Sequence, residues 1–410
     1  MPRRDSDRPR RDSDRPQVAL LGHRPPLDGL RALAFLGVFV GHGELVPGGD
    51  SGAVAMFLFF ALSGFLITSL LVGERWTTGT VSLRRFFGRR ALRLLPALFL
   101  FLAVWLVVMA VFGHDSWATS VPQGGPGGPE PFSTALHAAA VSAAYFMNWA
   151  EVLRMFGHYV AIGHVWSLSV EEQFYLVWAP IVAVVVAWRL RGVVVAALVL
   201  AAGSLAEVPL LYHGGAGELR VYMGTDTRAA AFLLGAALAV LWCRGTLRWL
   251  RRPAAAVAIA GLGALVLLWA ASPLSGPGAV LGPRTETAVF LARWYACTAA
   301  APVLVVAAAS VEAGTLWRAL SGNTLTYIGR RSYALYLWHY VWLTWLRSLG
   351  LVGVAGALVA SFACAEASWQ LVERRALAHK RRLDPATSPP ATSAPPSERA
   401  SSAGTSWARR

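Results

Sequence analysis

The sequence predicts an all-α integral membrane protein with about ten transmembrane helices and both termini in the cytoplasm. Of its 410 residues, 56% are hydrophobic and only 14% are charged, and the mean hydropathy is +0.50. Apolar runs close to the ~20 residues that cross a bilayer recur along the whole chain. The arginines concentrate in the short segments between these runs, which is the pattern that sets the orientation of membrane proteins.

The predicted spans follow the apolar runs in order. They lie near 28–46, 52–73, 94–112, 166–188, 192–212, 228–243, 254–271, 286–309, 325–346 and 350–371. A further stretch, 134–150, is short and rich in small residues. If it crossed the membrane, most of the later basic loops would face outward, so we predict an external interfacial or re-entrant segment instead.

Two polar tails flank the predicted membrane domain, which covers 25–375. The first tail, 1–24, contains the tandem repeat RRDSDRP, and the second, 376–410, becomes rich in Pro, Ser, Thr and Ala. Segments of this composition cannot bury enough apolar surface to fold, so both tails are predicted to be disordered. No signal-peptide cleavage pattern follows the first tail.

Several functional classes find no support in the sequence. The net charge of +15 is explained by membrane orientation, so no nucleic-acid partner is predicted. Cys243, Cys297 and Cys364 lie in or beside apolar runs without motif spacing, which favours neither disulfides nor a metal site. The chain contains no GxSxG elbow, Walker A loop, dinucleotide fingerprint or HExxH motif.

The first predicted span carries two polar residues that hydrocarbon penalises. In GLRALAFLGVFVGH, His42 follows Arg31 by 11 positions. At ~100° and 1.5 Å per residue, both side chains lie within about 20° on one helix face and about 16 Å apart. A lone intramembrane histidine often serves only as a hydrogen-bonding partner inside the protein. The shared stripe favours a buried functional site instead.

The segment RRFFGRRALRLLP, at 84–96, contains Arg90 and Arg93 in the spacing Arg-x-x-Arg. One interpretation is that these residues are part of a basic inner loop that only sets orientation. The other is that they bind phosphate, because guanidinium groups match phosphate geometry and coenzyme A carries three phosphates.

A third motif, HVWSLSVEEQFYLVW at 164–178, combines a predicted helix start with two adjacent carboxylates. Ser169 and Glu172 have the spacing of a capping box, which leaves Glu171 without a structural role. Glu171 shares a helix face with Ser167 and Tyr175, four residues away on either side. At about the depth of His42, it could orient that imidazole. A plain hydrogen bond between helices remains the alternative.

Two later motifs add polar residues to predicted spans. In TDTRAAAFLLGAALA, at 225–239, Asp226 and Arg228 begin a span and can pair with each other. In YIGRRSYALYLWHY, at 327–340, His339 lies within an aromatic-rich span. Taken alone, each motif is more typical of structure than of catalysis.

Together these motifs resemble the membrane acyltransferase-3 family over roughly 25–375. The resemblance also rests on LDGLRA, FFALSGFLIT, TDTRAAAFLLG and SYALYLWH, which follow the family's order. It implies a ten-span protein that transfers acyl groups, usually acetyl from acetyl-CoA, onto hydroxyls of glycans, peptidoglycan or secondary metabolites. The family's functional positions correspond to Arg31, His42, Arg90, Arg93 and Glu171.

The chain departs from the family pattern at two places. Tyr340 follows His339 where the family usually has proline, and Glu373-Arg374-Arg375 replaces a closing Glu-Arg-Pro. From the length of the sequence we also expect neither the extra span nor the external SGNH-hydrolase-like domain of some members. The resemblance therefore implies a stand-alone form that transfers the acyl group itself or hands it to a separate partner.

The resulting hypothesis is a membrane O-acyltransferase in the inner membrane of a bacterium. The resemblance implies acyl-CoA as donor, with its phosphates near Arg90, Arg93 and Arg31, and no metal. His42, oriented by Glu171, would act as general base on a hydroxyl of an envelope glycan or glycolipid. A covalent acyl relay is equally compatible with the sequence.

Two alternatives remain open at this stage. The acceptor could be a macrolide-like secondary metabolite, since stand-alone members of the family often resemble antibiotic-tailoring enzymes. The alternative from another class is a non-enzymatic transporter that uses Arg31, His42, Glu171 and Asp226 as a relay. No inverted repeat or pair of Gly/Pro-broken helices supports the transporter.

Overall fold

The computed structural model describes residues 20–45, 51–112, 132–157, 160–212, 217–270 and 283–380. These residues form helices and no strand, as the sequence predicts for a protein whose backbone polar groups must be satisfied inside lipid. The α-helices are α1 Pro25–His42, α2 Ser51–Thr78, α3 Leu83–Phe112, α4 Phe132–Ala143, α5 Met147–Val152, α6 Trp166–Trp188, α7 Leu190–Leu211, α8 Glu218–Met223, α9 Thr225–Cys243, α10 Ala254–Ala270, α11 Pro283–Ser310, α12 Gly314–Leu320, α13 Asn323–Leu346, α14 Gly350–Ser368 and α15 Arg374–Lys380.

Seven helical stretches of the described residues are long and apolar enough to cross a membrane. The last of them, Asn323–His379, contains both α13 and α14, and the shorter α10 is apolar as well. Helix α1, which carries Arg31 and His42, is not among the seven. The all-α, multi-pass class is therefore confirmed. The count of ten spans and the cytoplasmic placement of both termini stay predictions.

The stretch 134–150 does not form one crossing helix. It is divided between α4 and α5, which are separated at Tyr145, a residue with a φ of 53°. Helix α4 has 12 residues, which rise only about 18 Å against a hydrocarbon core of about 30 Å. This agrees with the predicted interfacial or re-entrant segment.

The predicted tails lie mostly outside the described residues. At the C-terminal side, α14 continues through a short π-helical segment, Trp369–Glu373, into α15. Helix α15 ends at Lys380, so ordered helix extends past the predicted domain boundary at 375. The first tail is described only from residue 20 onward.

Helix α1 is held against α12 and α13 by two backbone contacts that need glycine. A Cβ added at Gly29 would lie 2.1 Å from the Leu320 carbonyl oxygen, and one added at Gly329 would lie 1.9 Å from that of Asp28. Small residues allow such close approach where lipid supplies no hydrophobic force between helices. The contact makes α1 and α13 direct neighbours, which decides where His42 and His339 meet.

Candidate active site

Two imidazoles from distant parts of the chain are hydrogen-bonded to each other at the end of α1. Nδ1 of His42 lies 2.8 Å from Nε2 of His339 on α13. The ring planes are 9° apart and the centroids 5.1 Å apart. The centroid separation exceeds the N–N distance by about two ring radii, so the rings meet edge to edge, as an in-line hydrogen bond requires.

The second hydrogen bond of His339 determines the tautomers of both histidines. Nδ1 of His339 lies 2.7 Å from the backbone carbonyl oxygen of Tyr336, which can only accept. A neutral imidazole has one N–H, so His339 donates from Nδ1 and accepts at Nε2. His42 must then donate from its own Nδ1. The lone pair of His42 Nε2 is left available, and this is the atom a general base needs.

Aromatic side chains enclose the pair. The rings of Phe35 and Phe39, on α1, lie 5.8 and 6.4 Å from His339, and Tyr340 lies 4.9 Å from His42 at 73°. His339 is completely buried, at 0% exposure, while His42 is half-buried. Of the two imidazoles, His42 is therefore the one a substrate can approach.

A third histidine lies beside the pair, and sequence reasoning did not single it out. His164, just before α6, is fully buried, and its Nε2 lies 3.2 Å from the Leu337 carbonyl oxygen. Its ring stacks on Tyr340 at 5.0 Å and meets His339 edge-on at 5.6 Å. The signal that could have found it was its place at the start of the HVWSLSVEEQFYLVW motif.

Arg90 is the centre of an ion-pair cluster. Its Nη2 donates to Oε1 of Glu172 at 2.5 Å and lies 4.0 Å from Oε1 of Glu171. The guanidinium also lies over the Tyr175 ring, 3.6 Å from its centroid. Helix α6 begins at Trp166 without a side-chain capping bond, so Ser169 lies inside the helix and does not form a capping box with Glu172. That prediction is wrong, and Ser169 instead accepts from the backbone N–H of Met147.

Glu171 is held in this cluster and does not bond to His42. Its Oε1 accepts from the hydroxyl of Ser63 on α2 at 2.7 Å and from that of Tyr175. The predicted face shared with Tyr175 is confirmed, but the predicted orientation of His42 by Glu171 is wrong. Nδ1 of His42 is bonded to His339 instead.

Arg93 and Arg31 are less constrained than Arg90. Arg93 is exposed, and it makes no hydrogen bond or ion pair within the described part of the chain. It lies close enough to Arg31 and Arg90 for their charges to repel. Arg31 reaches Asp28 only at 3.5 Å, and Asp28 is shared with Arg330 at 3.7 Å. These two guanidiniums are available to an anionic ligand.

The predicted pairing of Asp226 with Arg228 is wrong. Asp226 pairs with Arg220, at 2.5 Å. Arg228 is instead buried at 1% exposure, donates from Nε to the Tyr222 carbonyl oxygen at 2.7 Å, and lies 4.4 Å from the Trp294 ring centroid. Both residues are therefore engaged at the start of α9.

The described residues thus bring together two polar groups joined by α1. One is the imidazole pair at the end of α1, in which Nε2 of His42 keeps an available lone pair. The other is the arginine cluster, which consists of Arg31, Arg90 and Arg93. Within the described residues, no group of three or more His, Cys, Asp or Glu is arranged to hold a metal ion. This arrangement of a base and an anion-attracting cluster suits group transfer from a phosphorylated donor.

Comparison with known proteins decides the family. A family described as "Acyltransferase domain" matches residues 25–366. The chain belongs to this acyltransferase family. The matched region contains both imidazoles and the arginine cluster, and it ends before the Glu373-Arg374-Arg375 sequence. The resemblance seen in the motifs is confirmed.

Curated bacterial proteins are similar to this chain over most of its length. It is 32% identical to "Peptidoglycan O-acetyltransferase OatA" of Listeria monocytogenes, over 77% of this chain and 49% of that protein. It is 28% identical to "O-acetyltransferase OatA" of Staphylococcus aureus, over 80% and 52%. It is 31% identical to "Putative peptidoglycan O-acetyltransferase YrhL" of Bacillus subtilis, over 77% and 48%. The chain spans about half the length of these relatives. No solved structure matches it.

Proposed function

We propose that this protein is a membrane O-acyltransferase that moves an acetyl group from acetyl-CoA to a hydroxyl of a cell-envelope glycan. The observation that carries the proposal is the open Nε2 lone pair of His42, held by a chain of hydrogen bonds that ends on a backbone carbonyl. Family membership supports the reaction class. The names of the relatives support peptidoglycan as the acceptor.

The chemistry follows from the position of the base. His42 Nε2 takes the proton of the acceptor hydroxyl as its oxygen attacks the thioester carbonyl carbon. The carbon–sulfur bond then breaks, and the imidazolium returns the proton to the coenzyme A thiolate. An ester and free coenzyme A result, so no other reactant is needed. General-base catalysis of this kind contributes roughly 10²–10⁴-fold to a rate.

We assign donor binding to Arg93 and Arg31 rather than to Arg90. A phosphate competes for Arg90 with Glu172, at 2.5 Å, and with the ring of Tyr175. Arg93 has no such partner within the described residues and is exposed. The ~16 Å between Arg31 and His42 along α1 leaves room for an extended pantetheine arm between phosphates and thioester.

The decisive experiment measures acyl transfer with the purified full chain in proteoliposomes. Radiolabelled acetyl-CoA is supplied with soluble peptidoglycan glycan strands, and labelled ester is separated from the donor. We expect labelled glycan with the parent protein and a loss of about 10²–10⁴-fold with His42→Ala. His137→Ala is the matched control, because His137 is an exposed histidine on α4 outside the site.

Each other outcome has a definite meaning. If a macrolide acceptor is labelled and the glycan is not, the acceptor assignment is wrong while the reaction class stands. If the protein binds acetyl-CoA but no ester forms with any acceptor hydroxyl, the O-acyltransferase proposal is wrong and the transporter hypothesis gains support. Full activity of His42→Ala would refute the role of the base.

A further inference from the structure

The hydrogen bond between the two imidazoles assigns a role to His339. We propose that His339 is the positioning residue of His42: as a neutral imidazole, it fixes the tautomer and the direction of the catalytic base. This inference rests on the proposed function of His42 as base. It gives to a histidine the role that the sequence suggested for Glu171.

His339 cannot itself be the base. Its Nδ1 donates to the Tyr336 carbonyl oxygen at 2.7 Å and its Nε2 faces His42 at 2.8 Å, so both ring nitrogens are occupied. It has 0% exposure, so a substrate hydroxyl does not reach it. Its contribution must therefore pass through His42.

The packing around His339 holds its ring in one orientation. Phe35 and His164 both meet it edge-on, at interplanar angles of 83° and 89°. Tyr336 is itself anchored, since its hydroxyl lies 2.6 Å from both Ser167 Oγ and the His164 carbonyl oxygen. The hydrogen bonds from His42 to His339 and from His339 to the Tyr336 carbonyl oxygen form a relay. The residue at its end, Tyr336, is thus held by the segment leading into α6.

The hydrogen bond between His42 and His339 becomes stronger when His42 is protonated during the reaction. In the resting state a neutral His42 donates to a neutral His339. When His42 takes the hydroxyl proton, the same bond becomes charge-assisted, and such bonds are about twice as strong as neutral ones. An interaction that is stronger in the transition state than in the ground state raises kcat rather than lowering KM.

The charged and titratable groups around the pair are few within the described residues. His164 and Tyr340 contact the rings directly, and Tyr336 contacts His339. Arg347, just after α13, acts on His42 electrostatically and is paired with Glu44 at 2.6 Å. The acceptor of the hydrogen bond from His42 Nδ1 is therefore Nε2 of a neutral imidazole. In a catalytic triad the corresponding acceptor is a carboxylate.

Two substitutions separate this role from simple packing. In His339→Gln, the amide oxygen can accept from His42 Nδ1 while the NH₂ donates to the Tyr336 carbonyl oxygen, so the relay is retained. In His339→Phe, the ring is retained but the relay is lost. We expect kcat to fall on the order of 10²-fold in His339→Phe, with the KM for acetyl-CoA unchanged. His339→Gln should recover at least a tenfold part of that loss.

A pH profile provides a readout that packing alone would not move. In His339→Glu, a carboxylate faces His42 and stabilises its protonated form, so the acidic limb of the kcat/KM profile should move to higher pH. The measurement uses radiolabelled acetyl-CoA and peptidoglycan glycan strands with the full chain in proteoliposomes. Thermal unfolding of each variant shows which of them are folded.

The outcomes distinguish this inference from the proposed function. If His42→Ala is inactive while His339→Phe keeps parental kcat, the base stands and the positioning role is wrong. Equal losses in folded His339→Phe and His339→Gln would also overturn it, since the relay would not matter. If His339→Phe does not fold, the decision passes to the other two variants. A profile of His339→Glu identical to that of the parent then refutes the inference.

Discussion

Replacing Arg93 by alanine removes a guanidinium that makes no hydrogen bond or ion pair within the described residues. The folded protein therefore loses little when this side chain is deleted, and the effect should appear in donor binding. Replacing Arg90 is different, because Glu172, only 2.5 Å away, would lose its cation. The two arginines of one motif should thus give two distinct phenotypes.

The magnitudes follow from the contacts. A charge-assisted hydrogen bond to phosphate contributes about 1.5–3 kcal/mol, and each 1.4 kcal/mol is tenfold in affinity, so Arg93→Ala should raise the Kd for acetyl-CoA about 10- to 150-fold. For Arg90→Ala we expect a lower thermal stability instead. Breaking a buried ion pair from one side costs about 3–5 kcal/mol, and the side-chain exposure of 16% for both Arg90 and Glu172 favours the lower end.

The assay compares two donors on each variant. Acetyl-CoA carries the nucleotide phosphates, whereas acetyl-pantetheine lacks them but keeps the thioester. If Arg93 binds phosphate, Arg93→Ala should weaken the binding of acetyl-CoA and leave the turnover of acetyl-pantetheine unchanged. Arg84→Ala is the control, since Arg84 is an exposed arginine near the start of the same helix. Unchanged acetyl-CoA affinity in Arg93→Ala would return this arginine to the role of setting membrane orientation.

Three further predictions concern catalysis, packing and orientation. His42→Ala should still bind acetyl-CoA by calorimetry while single-turnover acylation falls about 10²–10⁴-fold, and parallel losses of both would contradict a base. Gly329→Ala should destabilise the protein by about 1–3 kcal/mol through overpacking, since its Cβ would lie 1.9 Å from a backbone oxygen. Gly263→Ala, with nothing within 4 Å, should match the parent in thermal unfolding. In a cysteine-free background, a cysteine near Arg248 should be shielded from impermeant thiol reagents in intact cells while one near Gly125 reacts. Labelling of both would mean that 134–150 crosses the membrane.

The fold class and the family were accessible from the sequence because both depend on local patterns. Each apolar run is a property of its own residues. A run that crosses lipid forms a helix, because its backbone polar groups must be hydrogen-bonded within the segment. The Arg31–His42 stripe was also accessible, because helical geometry alone brings positions 11 apart onto one face. The motif order then sufficed for a family resemblance that the match over 25–366 confirms.

Which side chains pair with one another was decided only by the tertiary structure. His42 and His339 are separated by 297 positions, and no local pattern indicates that α1 and α13 would be neighbours. Once glycine contacts set those two helices together, the imidazole of His339 occupied the place that the sequence suggested for Glu171. Charge pairing was equally non-local, as Asp226 bonds to Arg220 on α8 and not to Arg228 on its own helix. The physical reason is that a helix determines which side chains share a face, whereas only the packing of helices determines what that face meets.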